Sequence, residues 1–267
     1  MKKRDPAAPK SEPKHDLWGV NPVLEALRAG RRTIEQITIA EGARHDRLRE
    51  LIELARARKV PLRRAPRVKL DRETGKKNHQ GVIARVSAAR YADVDELLSS
   101  ITVKPENQQP PLIVLLDGVE DPRNFGAILR TAECAGVDAV FVPERRAVGL
   151  TESVARSAMG ALEHVPVARV VNLVRLIEQL KERNVWILGA DADAATEYTE
   201  WDWTQPAAVV FGGEGAGLHR LVRERCDTLV CIPRAGQIGS LNVSVAVGIV
   251  LFEALRQRAT NSKHEKK

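Results

Sequence analysis

From Leu112 onward the chain repeats one pattern: four to six apolar residues, a polar turn, then a longer segment whose apolar residues recur every three or four positions. Residues 112–116, 139–142, 185–189, 208–211 and 229–232 read as buried strands. Residues 124–135, 152–161, 172–182, 218–225 and 241–256 read as helices. Wholly apolar strands alternating with amphipathic helices predict an α/β domain with a parallel sheet covered on both faces. The N-terminal part is patterned more weakly. Asn21, Pro22 and Gly30 suit the N-cap, first helical position and C-terminal cap of a short helix. Residues 34–40 alternate like a strand, 45–59 carry helical spacing at Leu48, Leu51, Ile52 and Ala55, and 81–86 read as a further strand. A small α/β module over 16–90 results.

The punctuation divides the chain further. Residues 1–15 are rich in Pro, Lys and Ala with almost nothing to bury and are expected to be disordered, as is the tail 259–267. Residues 91–111 hold a short helix at 94–99 and the stretch KPENQQPP, which reads as a linker containing the domain boundary, ahead of a second domain over 112–258. Two glycine-bearing polar loops, one at Gly212, Gly213, Gly215 and Gly217 and one from Arg234 to Gly239, end two neighbouring buried strands. Backbone groups at such ends are free to hold a small ligand, which makes this a candidate cofactor site.

Composition narrows the setting. With 43% hydrophobic and 29% charged residues the chain is an ordinary soluble one. No run reaches the 18 to 20 or so apolar residues of a membrane helix, since 241–255 is interrupted by Asn242, Ser244, Gly248 and Glu253. The N-terminal charges are followed by no apolar core of a signal peptide. Cys134, Cys226 and Cys231 lack CxxC spacing and nearby histidines, which argues against a metal site and for a reducing, cytoplasmic setting. The net charge of +7 is unevenly spread: +3 over 1–15, +9 over 16–90 and −5 over 91–267. Ten Lys/Arg against two acids between Arg56 and Lys77 form the electrostatic footprint of a phosphate-backbone binder.

Three motifs carry candidate chemistry. In LLDGVEDPRNFGAILRTAE, Asn124 and Arg130 lie on the helix after a strand, six positions apart, where both could face the strand's carboxyl end; in isolation Asn124 could equally cap the helix and Arg130 pair with a carboxylate. FGGEGAGL has the glycine density of a nucleotide loop, but it lacks GK[ST] and an acidic partner some 20 residues on, so neither a P-loop nor a dinucleotide fingerprint fits. In IGSLNVSVAVGIVLFEAL, Ser240 and Asn242 stand where capping is the simplest role.

Together these blocks resemble the SpoU (TrmH) branch of the SPOUT RNA methyltransferases: DPRNFGAILRTAE with AGVDAV, FGGEGAGL with CIP, and SLNVSVAVGIVLFEA, in order. WGVNPVLEAL and NHQGVIA are similar to the substrate-binding domain of this branch's 23S rRNA guanosine-2′-O-methyltransferases. The resemblance implies a trefoil knot, an exception to the rule against threaded chains, a homodimer, S-adenosylmethionine as methyl donor, and an N-terminal fold like that of a ribosomal protein. It places the backbone at Gly212, Ile232 and Leu241 against the cofactor, and Asn124, Arg130, Glu214, Ser240 and Asn242 around the ribose and the transferred methyl. The family proposal makes Arg130 a proton acceptor, which conflicts with the pKa above about 12 of arginine and favours phosphate anchoring. His219 reads as a surface residue rather than a base.

The competing functions are a tRNA ribose methyltransferase of the same branch and a non-catalytic ribosome-assembly factor. Separate N-terminal residues 17–89 favour rRNA over the former, and the intact motif residues weigh against the latter. Neutralising Arg63 with Arg64, or Lys76 with Lys77, should flatten the salt dependence of RNA binding by about 0.7 to 0.9 log units per lost phosphate contact. A filter-binding series from low to high salt reads this slope, and an unchanged slope would make the basic stretch an ordinary solvated face.

Overall fold

The computed structural model describes residues 14–43, 48–76, 78–101 and 109–264. Most of the expected N-terminal disorder, the KPENQ portion of the expected linker and the last three residues lie outside them. The chain divides into two compact units, Met1–Ala89 and Arg90–Lys267.

The first unit is built on a four-stranded sheet. In chain order it contains β1 (Lys14–Trp18), α1 (Val20–Ala29), β2 (Ile34–Ala40), α2 (Arg49–Ala57), β3 (Leu62–Ala65), α3 (Arg67–Glu73) and β4 (Val82–Ser87). The sheet order is β1-β4-β2-β3, with β4 antiparallel to both neighbours and β3 parallel to β2. Strand β2 and the cap at Gly30 lie where the pattern puts them; Gly30 is left-handed (φ 66°) and its N–H returns to the Ala26 carbonyl. The start of α1 differs. Gly19 is its N-cap, and the N–H of Val20 is taken by the Gln80 side chain at 3.2 Å. Asn21 and Pro22 therefore sit inside the first turn, where a missing N–H costs no intrahelical bond.

Strand β1 contradicts the expected disorder at Lys14 and His15. Its polar sequence gives no alternation, and it forms because it pairs residue by residue with β4, from Lys14 opposite Ser87 to Trp18 opposite Ile83. The basic stretch folds as well: Arg63 and Arg64 are exposed on the short strand β3 and the next charges lie on α3. Within NHQGVIA, His79 is buried and satisfied at both ring nitrogens. Nε2 lies 2.9 Å from Asp71 Oδ1, and Nδ1 accepts the Gly81 N–H at 3.0 Å. That makes it a tie between α3 and β4.

The second unit contains α4 (Val94–Ile101), β5 (Leu112–Asp117), α5 (Pro122–Cys134), β6 (Ala139–Pro143), α6 (Glu152–Ser157), β7 (Val167–Val170), α7 (Leu173–Lys181), β8 (Trp186–Ala190), β9 (Thr196–Glu197), β10 (Ala207–Gly212), α8 (Arg220–Arg223), β11 (Thr228–Cys231) and α9 (Val243–His264). Seven strands pair in the order β7-β6-β5-β10-β8-β11-β9, every pair parallel. Alternate residues of β5 feed two cores. Leu112, Val114 and Leu116 pack with Phe125, Ile128, Val247 and Leu251, while Ile113 and Leu115 pack with Leu98, Leu176, Ile177 and Val222. This is the doubly covered parallel sheet that the apolar runs predict. Strands β7 and β9, of four and two residues, carry too little pattern to be seen in the sequence.

Two boundaries need correction. Residues 91–101 are part of the second unit rather than a linker: Ala92 bridges to Ala168, Tyr91 accepts a 2.6 Å hydrogen bond from Arg169, and Leu98 and Ile101 are core residues. The expected tail is helical as far as His264. That extension is fixed by Arg258, whose buried guanidinium donates to the carbonyls of Trp203 (2.7 Å), Pro110 (2.6 Å), Pro111 (3.2 Å) and Gln205 (3.1 Å). Burial lowers its pKa, and the four carbonyls supply the polar surroundings that a buried cation requires.

Candidate active site

The sheet brings two loops together. Gly212 pairs with Asp117 at the carboxyl ends of β10 and β5, so the chain leaves both strands side by side. Strands on either side of β5 lead in opposite directions, which is the switch point where open parallel sheets bind ligands. The loops touch through backbone, since a Cβ on Gly213 would lie 2.2 Å from the Gly118 oxygen; the second loop also folds back on itself, so that a Cβ on Gly212 would lie 2.1 Å from the Gly217 carbonyl carbon. Only glycine fits at these two positions.

Local chemistry then aims three side chains at one point. Asp121, not Asn124, caps α5, with Oδ1 accepting the Arg123 N–H at 2.6 Å. Asn124 is thereby free, and its Nδ2 donates to Glu214 Oε1. Asn242 does cap α9: its Oδ1 accepts from Ser244 N at 2.9 Å and from Ser244 Oγ at 2.6 Å. Because the oxygen is committed to the cap, the amide nitrogen must point the other way. It donates to Asn124 Oδ1 at 3.1 Å and to Glu214 Oε1 at 3.3 Å. These partly solvated bonds contribute about 1 kcal/mol each. That is too little to pull loops together, so the sheet and the glycine contact bring about the meeting.

The cluster stands between two cavities. The larger, of about 680 Å³, is lined by Gly212–Leu218, by Ile232, Ser240, Leu241 and Asn242, and by an apolar floor including Phe211, Val230, Val243 and Val250. Asp191, Asp193, Arg223 and Arg234 form its charged edge. Arg223 Nε lies 2.7 Å from Asp191 Oδ2, and this bond holds the Asp191 carboxyl below the usual carboxylate range. The smaller, of about 370 Å³, is lined by Asp117, Asn124, Arg146 and His219 among others. Glu214 borders both.

Gly212, Ile232, Leu241, Ser240, Glu214 and Asn242 thus line the larger cavity, and Asn124 the smaller. Arg130 lines neither; it is exposed on α5. Six residues along a helix amount to about 600° of turn and leave the two side chains roughly 120° apart, so the spacing does not put Asn124 and Arg130 on one face. The pattern also misses Asp117, Arg146 and His219. Asp117 had a signal, as the one charged residue ending an apolar strand, but its partner His219 lies 102 positions away. Burial pushes the Cys226 thiol up to about 11, so it is no nucleophile. Among the described residues no group of three or more His, Cys, Asp or Glu is placed to hold a metal ion.

A glycine-rimmed cavity with an apolar floor, joined to a second cavity lined by titratable side chains at parallel-strand ends, defines an α/β enzyme that works with a bound small molecule. The chain belongs to the SpoU rRNA methylase family, whose profile matches residues 111–252. A second profile, RNA 2′-O ribose methyltransferase substrate binding, matches residues 17–92. It is 43% identical over 246 residues to YacO of Bacillus subtilis, assigned to the TrmH family of tRNA/rRNA methyltransferases, covering 91% of this chain and 96% of that one. It is 42% identical over 250 residues to the 23S rRNA (guanosine-2′-O-)-methyltransferase RlmB of Pseudomonas syringae pv. tomato, covering 92% and 97%. The crystal structure of the SpoU methyltransferase AviRb from Streptomyces viridochromogenes, in complex with AdoMet, matches with a TM-score of 0.74 at 25% identity, covering 92% of this chain and 91% of that one. The protein is an RNA 2′-O-methyltransferase that uses S-adenosylmethionine.

Gly213→Ala should lower the melting temperature and abolish methylation, since the added Cβ must push Gly118 and Gly213 apart. Thermal unfolding and a methyl-incorporation assay check this; an active variant of native stability would mean that the loops are not positioned by the contact.

Proposed function

We propose that the protein methylates the ribose 2′-hydroxyl of a guanosine in 23S rRNA, in the peptidyl-transferase loop. One observation carries the reading: the Asn124–Glu214–Asn242 cluster separates a cavity suited to the methyl donor from one suited to the acceptor nucleotide. The match to the RlmB relative across nearly the whole chain supports rRNA and guanosine, as does the basic first unit with a substrate-binding profile. The non-polar floor and charged edge of the larger cavity suit a ligand with aromatic, sulfonium and zwitterionic parts, and its volume lies in the range of small-molecule sites. When bound, S-adenosylmethionine supplies an electrophilic methyl group. Backbone at Gly212, Ile232 and Leu241 holds it, and Ser240 lies beside it.

The residues of this chain do the rest by orientation. Asn124 and Asn242 present amide groups, and Glu214 a carboxylate, where a ribose needs hydrogen-bonding partners; alignment of the hydroxyl with the methyl is the main contribution to an in-line displacement. Arg130, exposed on α5, anchors an RNA phosphate with its planar fork. The first unit supplies RNA affinity and the second the chemistry, in a cytoplasmic enzyme. The trefoil knot is part of this reading, supported by the likeness to solved SpoU methyltransferases.

A homodimer also belongs to it. Helix α9 buries Val243, Val247, Val250, Leu251 and Ala254 in its own domain, yet leaves Val245 49% and Phe252 50% exposed, with Leu241 and Leu255 also open. A second copy is the occupant that family resemblance and self-complementary symmetry favour. Sedimentation at micromolar concentration should give twice the 29.5 kDa chain mass, and Phe252→Glu should shift it to monomer. Wild-type protein sedimenting only as a monomer would remove the dimer.

The function is tested by methyl transfer to 23S rRNA and tRNA transcripts, with the modified position mapped. Guanosine methylation in 23S rRNA is expected; modification of tRNA alone would turn the reading to the tRNA branch. Arg130→Ala should abolish transfer and spare cofactor affinity. Arg130→Lys should stay dead with weakened RNA binding if the fork anchors phosphate, whereas substantial activity rising with pH would make residue 130 the proton acceptor.

A further inference from the structure

Transfer to a 2′-hydroxyl releases a proton, and arginine is a poor group to take it. The smaller cavity contains a better one. Asp117 ends β5 only 5% exposed, and its carboxylate is used twice by one residue: Oδ2 accepts the His219 backbone N–H at 2.8 Å, and Oδ1 lies 2.9 Å from His219 Nδ1. On the other side of the ring, Arg146 Nη1 lies 3.1 Å from His219 Nε2. A guanidinium only donates, so Nε2 must present its lone pair, and the ring proton is therefore on Nδ1, donated to Asp117. The tautomer is fixed from both ends. The imidazole, its side chain 42% exposed, sits in the wall of the cavity that Asn124 and Glu214 also line, with its ring against Gly118.

A buried carboxylate behind an imidazole, with the far nitrogen unprotonated and facing a cavity, is the arrangement that a general base requires. We propose that His219, oriented by Asp117, accepts the ribose 2′-hydroxyl proton, and that Arg146 occupies its lone pair until an RNA phosphate draws the guanidinium away. This rests on the reading of the smaller cavity as the acceptor site. In the step, the ribose O–H bond breaks and its proton goes to Nε2, the oxygen forms a bond to the methyl carbon, and the carbon–sulfur bond breaks to leave a neutral thioether. The imidazolium, stabilised by Asp117, then returns its proton to solvent. The charged groups lining the same cavity are Asp117 from β5, Glu120 and Asp121 from the loop after it, Arg146 from the loop after β6, and Glu214 from the loop after β10. The base is thus exposed to reaction only when RNA is bound, which ties proton removal to substrate arrival.

The test is single-turnover methyl transfer at saturating RNA and S-adenosylmethionine, measured across pH for wild type, His219→Gln and His219→Ala. Both variants should be slower by about 100-fold or more, the scale of general-base catalysis, with unchanged cofactor affinity by calorimetry and native melting curves. Added imidazole should restore part of the rate in His219→Ala, and the fall in rate at acid pH seen in wild type should vanish in both. Arg146→Ala should raise the RNA concentration needed for half-maximal rate, and an RNA dependence identical to wild type would remove Arg146 from the proposal. A wild-type rate in His219→Gln, or a slow variant that keeps the wild-type pH profile and ignores imidazole, would overturn the proposal. Failure of the cavity reading shows separately, as a wild-type protein that binds the cofactor but methylates no ribose.

Discussion

The active site depends on one steric constraint: two backbones must approach within contact distance at the carboxyl ends of β5 and β10. Gly213 against Gly118, and Gly212 against Gly217, leave no room for a Cβ. Parallel pairing of β10 with β5 aligns the strand ends, Gly213 against Gly118 allows the following loops to stay together instead of diverging, and Gly212 against Gly217 lets the second loop fold back on itself. Everything chemical follows from that proximity. Glu214 comes within reach of Asn124, ninety residues earlier, and the loop forms the wall between the two cavities.

Helix α9 makes the same point about shared duties. The residue that opens it serves both the helix cap and the cavity wall, because capping by the Asn242 oxygen leaves the amide nitrogen aimed at Asn124 and Glu214. Its buried stripe anchors this geometry to the core, with about 2 kcal/mol for each fully buried Val or Leu. Near its far end Arg258 gathers four carbonyls from two separate segments, which fixes the helix where residues 110–111 and 203–205 meet. A helix held at both ends is a stiff support for the loop that precedes it.

Charge is distributed to match. The first unit has the excess of Lys and Arg, while the acidic second unit carries the two cavities described above.

The sequence by itself determined the alternating strands and helices of the second unit, strand β2, the Gly30 cap, and the blocks that contain Asn124, Glu214 and Asn242. These are legible because each depends on periodicity or on residue types within a few positions. Tertiary structure alone decided that Lys14–Trp18 is a strand, that Gly19 and not Asn21 starts α1, that Tyr91–Ile101 belongs to a core, and that the last helix runs to His264. It also decided which way Arg130 faces and that His219, a surface residue by pattern, is bound to a buried aspartate. In each case the deciding partner is distant in sequence: β4 for β1, Ala168 for Ala92, four backbone carbonyls for Arg258, Asp117 for His219. Hydrophobic period records only whether a residue is buried. The identity of the group that meets it is fixed by strand order and register, which no local pattern encodes.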